Sequence, residues 1–438
     1  MVTVAGRGPQ LCWLASLMSK RPSRRLTPRQ LLVDITPLRQ SVPFRWLFGG
    51  LSLSWMGRQL TVVAVPFQVF QLTGSTFLVG ALGVAQLIPL LLTSVVGGAL
   101  VDSVDRRRLL VLAQVASMGT AIGLAINASL DEPSVWLIFA LSAINAGFSA
   151  IDSPARAASL PTLVGRHLLP ASLAITQTVA NVAKTLGPAI GGLLIAQTSL
   201  AATYSLEALA FFISAVLMFG VGELKPEGGG QRFGWESIKE GFRFLKERRI
   251  LQANFIIDLN AMVFGMPQAL FPVIGTEVLG GDASTVGLLY AAPGAGALLG
   301  AMTSGWVGLV RRHGRGVVIA VIVWGAAIAA FGLATSVWLA LALLALAGAA
   351  DVISAVFRTT ILQLAVPDRL RGRLSSIQIA VVAGGPRLGD FEAGAVASVT
   401  SPQFSVVSGG LACILGALFI ARKVPEYDAY EALADHDP

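Results

Sequence analysis

Seven ionisable side chains interrupt stretches of this sequence that are otherwise apolar: Arg58, Lys184, Asp258, Asp351, Arg358, Arg387 and Asp390. A charge at the centre of a membrane helix costs about 2.5–3.5 kcal/mol on insertion scales, so each of these predicts a charge partner or a place on a translocation path. Their signs are unevenly shared. The N-terminal half offers two cations, Arg58 and Lys184, and the C-terminal half offers two acids, Asp258 and Asp351. One chemistry fits that asymmetry: the cations attract an anionic molecule, while Asp258 or Asp351 takes up and releases a proton. A carboxyl group in a poorly solvated cavity can exchange protons near neutral pH. The competing expectation is that the same residues form salt bridges between the halves, locking one state without touching a substrate.

Local spacing adds detail. Arg358 lies two turns from Asp351 on a similar helix face. Arg387 and Asp390, three apart, predict a mutual pair, as do Asp152 and Arg156 at i,i+4. Glu207 falls near the outer end of its apolar run, where it is expected to reach water. Histidines 167, 313 and 436 and cysteines 12 and 413 show neither metal-ligand spacing nor a plausible disulfide. No stretch follows the P-loop pattern, which argues against ATP drive.

The elements that must position these residues are membrane helices. Only 13% of the 438 residues are charged, roughly half of the ~25% usual in soluble proteins. Residues 59–101 and 316–350 carry no charge at all. A hydrocarbon core of about 30 Å needs about 20 apolar residues per helix, so each run exceeds one span. Twelve spans are predicted, at about 46–70, 76–101, 109–130, 134–155, 171–197, 202–222, 250–274, 283–308, 316–335, 337–362, 374–398 and 402–421. The cations test that count. Of the 32 Lys and Arg, all but Arg58, Lys184, Arg358 and Arg387 fall in the two ends of the chain and in alternate loops. Positive loops stay cytoplasmic, so both termini are inside. The net charge of +8 is thereby a topology signal and not a nucleic-acid footprint.

This yields a basic cytoplasmic leader (1–43), a six-helix bundle (44–222), a cytoplasmic linker (223–249), a second six-helix bundle (250–422) and an acidic cytoplasmic tail (423–438). Residues 1–17 read as a candidate upstream extension, because Met18 opens a more ordinary basic leader. In the linker, Trp235, Ile238, Phe242 and Leu245 have helical spacing, which predicts an amphipathic helix on the cytoplasmic membrane surface. The two bundles repeat at an offset near 206: Pro66 matches Pro272, Gly80 matches Gly287, Gly98 matches Gly305, and Pro161 matches Pro367. Halves of equal topology are related by an axis along the membrane normal, with the substrate site between them at mid-membrane.

The loop after the second span reads "GGALVDSVDRRRLLVLAQ". Its Gly98, Leu100, Asp102, Arg106 and Arg107 resemble the G-x-L-x-D-x-x-x-R-[RK] signature of the major facilitator superfamily. Ser103 stands where a base is usual, Asp105 where glycine is usual, and Leu309 replaces the acid in the second half. In the fifth span, Gly187, Pro188, Gly191 and Gly192 resemble the G-P-x-x-G-G core of the family's antiporter motif, with Ala183 in place of its leading glycine. Over about residues 43–423 the chain is similar to the branch of that superfamily that includes enterobactin (siderophore) exporters and drug:proton antiporters. The stretches that carry this are "VVAVPFQVFQLTGSTFLVGAL", "LPTLVGR", "VGLLYAAPGAGALLGAMTSG" and "AVPDRLRGRL".

The resemblance implies an all-α fold of two pseudo-symmetric six-helix bundles in the bacterial inner membrane, working by alternating access. It implies proton-driven export of a small molecule, first a catecholate siderophore and, as the alternative, a macrolide or other drug. It also implies that the Asp102–Arg106–Arg107 loop latches the two halves in one access state. No cofactor beyond the proton gradient is expected, and a monomer is expected to suffice. Many drug exporters of this branch carry an acid near the position of Arg58, so the arginine weakens a cationic-drug reading. An enzyme would need a nucleophile–base set or metal ligands that the sequence lacks. A membrane sensor or scaffold, the remaining class, usually carries an extra soluble domain.

Overall fold

A computed structural model describes residues 34–225 and 243–431. Among the described residues twelve long helical spans cross the molecule. They are α1 (Val42–Thr73), α2 (Thr76–Ser103), α3 (Arg106–Ala128), α4 and α5 (the two arms, 135–164 and 166–197, of Val135–Gln197), α6 (Leu200–Phe219), α7 (Arg249–Val278), α8 (Ala283–Met302), α9 (His313–Phe331), α10 (Val337–Ala365), α11 (Asp368–Val399) and α12 (Pro402–Lys423). They form the two six-helix bundles expected, all-α and spanning a membrane. The short periplasmic turns start their helices with hydroxyl caps. Ser75, Ser134, Ser199 and Ser401 each accept a hydrogen bond from the backbone N–H three residues on, satisfying one of the donors that a helix start leaves open.

Two spans differ from the sequence reading. The connection between α4 and α5, read as a loop over 156–170, is helical on both sides of a single break at Gly165, whose φ of 70° only glycine adopts freely. The helix end at that break is pinned by Ser41, whose hydroxyl donates to Leu163 O at 2.8 Å. The seventh span, read as continuous over 250–274, is interrupted. A helix over Arg249–Phe264 stops at Gly265, Met266 and Pro267, and a tight turn, a short helix and a wide π-type turn follow. Pro267 cannot supply an N–H to the ladder. The backbone groups released by the break find side chains instead. Trp324 Nε1 donates to Gly265 O at 2.9 Å, and the Ala269 N–H donates to Asp390 Oδ1 at 2.9 Å. Irregular backbone at membrane depth survives only where such partners or a cavity receive it.

The two halves meet through glycine. Along α2 and α11, a Cβ at Gly80 would lie 2.5 Å from Asp390 O, and one at Gly83 would lie 2.5 Å from Arg387 O. Along α5 and α8, a Cβ at Gly192 would lie 2.4 Å from Ala283 O, and one at Gly287 would lie 2.6 Å from Pro188 O. Close backbone approach of this kind is how helices associate where lipid removes the hydrophobic drive. Both stripes lie toward the helix ends that face the periplasm. The linker's proposed amphipathic helix lies outside the described residues at Trp235, Ile238 and Phe242. Leu245, at its end, packs against a cluster that includes Leu251, Phe255 and Leu370.

Candidate functional site

Beside the α2–α11 glycine stripe, with Gly83 in its wall, a cavity of about 290 Å³ opens between the halves. Helices α1, α2 and α4 supply one wall with Arg58, Thr61, Gln86, Ser142 and Asn145; α7, α8 and α11 supply the other with Gln268, Tyr290, Arg387 and Asp390. Two cations from opposite halves therefore share one space. In each, Nε is buried and has no hydrogen-bond partner among the described residues. Arg387 donates to Ala383 O one turn back, at 2.6 Å. Asp390 accepts from the Ala269 N–H. Arg387 and Asp390, expected to pair, make no ion pair within 4 Å; each has a backbone partner, although their charges still act on each other.

Glu207 also departs from expectation. It does not reach water. It is 1% exposed and accepts a hydrogen bond from Thr61 Oγ1 on α1, while its second oxygen is buried without a partner among the described residues. Arg58 is near enough for its charge to act on Glu207, without an ion pair within 4 Å. Sequence placed Glu207 near a helix end; the packing of α6 against α1 buries it there. Its one legible signal was that it is an acid in an apolar run opposite a span bearing a lone arginine.

The acids of the C-terminal half form a second cluster. Arg358 reaches Asp258 at 2.7 Å and Asp351 at 3.7 Å, linking α7 to α10. The Arg358–Asp258 contact is close but lies off the hydrogen-bond axis: Arg358 Nη1 and Asp258 Oδ1 are each without a hydrogen-bond partner in directional terms. Asp258 and Arg358 are buried, whereas the Asp351 side chain is 38% exposed and lines a small adjoining pocket beside Gln268. Lys184, exposed on α5 of the other half, is close enough for its charge to act on Asp351. On the cytoplasmic side of the N-terminal half, the expected Asp152–Arg156 pair is present at 3.0 Å. Gln114 Nε2 donates to Asp152, and Arg156 stacks over Trp55 with its guanidinium 4.7 Å from the ring centre.

The motif glycines divide their work. Gly187 and Gly191 seat α5 against Gln59 and Leu60 of α1, and Gly192 seats it against α8. Pro188 is buried between them. In the gating loop, the side chains of Gly98 and Asp102 lie outside the described residues. Arg106 donates to Ala158 O at 2.9 Å, and Arg107 stacks on Phe219. Asp105, the residue that departs from the signature, caps α3 at Arg107 N and also accepts from Leu224 N, each at 3.0 Å. These contacts hold the loop to the N-terminal half and, at Leu224, to the start of the linker.

With this geometry in view, relatives are decisive. The family model described as transmembrane secretion effector, a major facilitator family, matches residues 33–437. The chain belongs to that family. It is 30% identical over 394 residues to the enterobactin exporter EntS of Shigella boydii serotype 4 (strain Sb227), covering 89% of this chain and 94% of that protein. The EntS protein of Escherichia coli O139:H28 (strain E24377A / ETEC) is 29% identical over the same spans. Among solved structures, the nucleoside transporter NupG superposes with a TM-score of 0.70 at 11% identity, over 87% of this chain and 98% of that one. A bacterial homolog to the human lysosomal transporter Spinster superposes at 0.67 with 14% identity, over 88% and 95%. These structural likenesses concern the fold. This secretion effector is thus a multi-pass exporter of the bacterial inner membrane that handles a small molecule, and it is not an enzyme.

Proposed function

We propose that the chain exports an anionic, oxygen-rich small molecule of the catecholate siderophore class in exchange for protons, one chain forming a complete path. The observation that carries this reading is the convergence of Arg58 and Arg387, one from each half, on a single cavity. A guanidinium offers a planar fork of donors that suits paired oxygens such as those of a catecholate or carboxylate. Nε groups without protein partners are available to a ligand at little cost. Gln86, Asn145, Gln268 and Tyr290 add neutral donors and acceptors to the same walls. A substrate held by arginines of both halves couples their relative motion to its own occupancy.

The coupling proton belongs in this reading to the Asp258–Arg358–Asp351 cluster. Two carboxylates share one guanidinium there, so one negative charge is unmatched, and taking up a proton neutralises the cluster. Lys184 is the cation that can replace the proton at Asp351 when the halves close. Rocking changes the Lys184–Asp351 separation and with it the affinity for the proton, which is the linkage an antiporter requires.

The test is a gene deletion in iron-starved cells, with siderophore quantified in medium and cytoplasm and the gene restored in trans. Loss from the medium with accumulation inside supports the proposal. Unchanged secretion together with new drug sensitivity assigns the cavity to drug efflux instead.

A further inference from the structure

A second cavity, of about 370 Å³, lies away from the path between the halves, among α9, α10 and the Ser304–Leu309 turn that precedes α9. Its walls are apolar, with Trp306, Ile319, Leu346 and Phe357 among them, and among the described residues the charged ones that line it are Arg312 and Arg315. Both arginines sit at the cytoplasmic start of α9, half exposed. From Arg312 the groove follows α9 to Val323, a run of about 16 Å at 1.5 Å per residue. That is close to half of the ~30 Å hydrocarbon core. The groove thus spans one leaflet, with its cationic mouth at that leaflet's polar surface.

Those guanidiniums already hold anions. Arg315 grips Asp428 through Nε and Nη2 at 3.2 and 2.7 Å, and Arg312 reaches Glu431 at 3.4 Å. Both carboxylates come from the segment after α12. That segment is the start of the acidic tail, and its described part is docked. Tyr427 is fully buried, its hydroxyl donates to Asn254 Oδ1 at 3.0 Å, and its carbonyl presses on Gly314, where a Cβ would come within 1.6 Å. The tail carboxylates show that anionic oxygens fit the mouth of the groove.

We propose that this groove is a site for one anionic phospholipid of the cytoplasmic leaflet. Its acyl chain lies along α9 and α10, and its phosphate takes Arg312 and Arg315 from Asp428 and Glu431. Apolar length and a cationic end select an anionic amphiphile over a neutral lipid, and basic pockets between helices on the cytoplasmic side hold such headgroups. Tail and phosphate carry the same sign, so they compete for the same two cations.

The experiment is native mass spectrometry of the detergent-purified full chain, titrated with phosphatidylglycerol, with phosphatidylethanolamine of the same acyl chains, and with inorganic phosphate. One phosphatidylglycerol should bind in preference to phosphatidylethanolamine. Its affinity should fall at least about tenfold in R312Q/R315Q, where the headgroup's cations are gone. Ile319→Trp, at a lipid-exposed position, should weaken binding by filling the groove. D428N/E431Q should tighten it, a gain that misfolding cannot produce. Equal binding of the two lipids, or unchanged affinity in these variants, would overturn the proposal. So would displacement of the lipid by millimolar inorganic phosphate, which would make this a free-anion site.

Discussion

At the scale of single residues, the molecule separates charges that touch a cavity from charges that touch each other. Arg58 and Arg387 face the central space with unpartnered Nε groups. Arg58→Gln or Arg387→Gln should weaken substrate binding about 10- to 100-fold, the size of one lost hydrogen bond to a charged group. Isothermal titration of the purified variants with substrate measures that loss. Asp258 and Arg358 are a different case, since both are buried and each is the other's counter-charge. Removing only the cation, as in Arg358→Met, should destabilise the fold by about 3–5 kcal/mol, because a buried carboxylate is left uncompensated. Thermal unfolding in detergent reads this directly, and adding Asp258→Asn to the same chain should restore most of it. Asp258→Asn alone should abolish gradient-driven transport while sparing substrate binding. Full transport by that variant would remove Asp258 from the coupling step.

Among the elements, the glycine stripes of α2, α5, α8 and α11 set how the halves meet. Gly83 faces the Arg387 carbonyl and Gly192 faces the Ala283 carbonyl, and neither neighbour is a flexible side chain that can yield. Gly83→Val or Gly192→Val should therefore pry the halves apart on the periplasmic side. The expected readout is faster labelling of a cysteine placed near the start of α8 by a membrane-impermeant thiol reagent, with transport reduced. Labelling as slow as in the parent would mean that the stripes do not form the closed face. The break in α7 acts at the same scale. It brings the Ala269 N–H to Asp390 and thereby fixes one wall of the cavity.

For the whole molecule, function rests on two bundles exchanging contacts while a gradient supplies the drive. Inverted vesicles loaded with acid should take up substrate, lose that uptake when a protonophore collapses the pH difference, and keep it when sodium is replaced by choline. Dependence on sodium would assign the Asp258–Arg358–Asp351 cluster to a metal cation in place of a proton. The twelve-helix plan and its orientation were legible without coordinates. Apolar run length and the one-sided placement of cations are consequences of the bilayer alone, and both act locally on sequence. The individual charges inside the spans were legible for the same reason: each is conspicuous in oil.

Which of those charges meet is a different matter. Asp152–Arg156 was readable because its partners share one helix turn. Arg387 and Asp390 have the same kind of spacing, yet Asp390 accepts from an N–H at a helix break more than a hundred residues away, and Arg387 donates to a carbonyl of its own helix. Glu207 met Thr61, and Arg358 met Asp258, across helices whose tilt and rotation no local pattern encodes. The described start of the acidic tail, up to Glu431, is docked through Tyr427, whose burial nothing local in the sequence announces. The sequence alone determined span number, topology and which ionisable residues fall inside the spans, since these follow from the cost of putting each residue in lipid, and its motifs carried the family. Only the tertiary structure decided which charges share a cavity and which neutralise one another, since electrostatic partnership depends on distances of a few ångströms between helices.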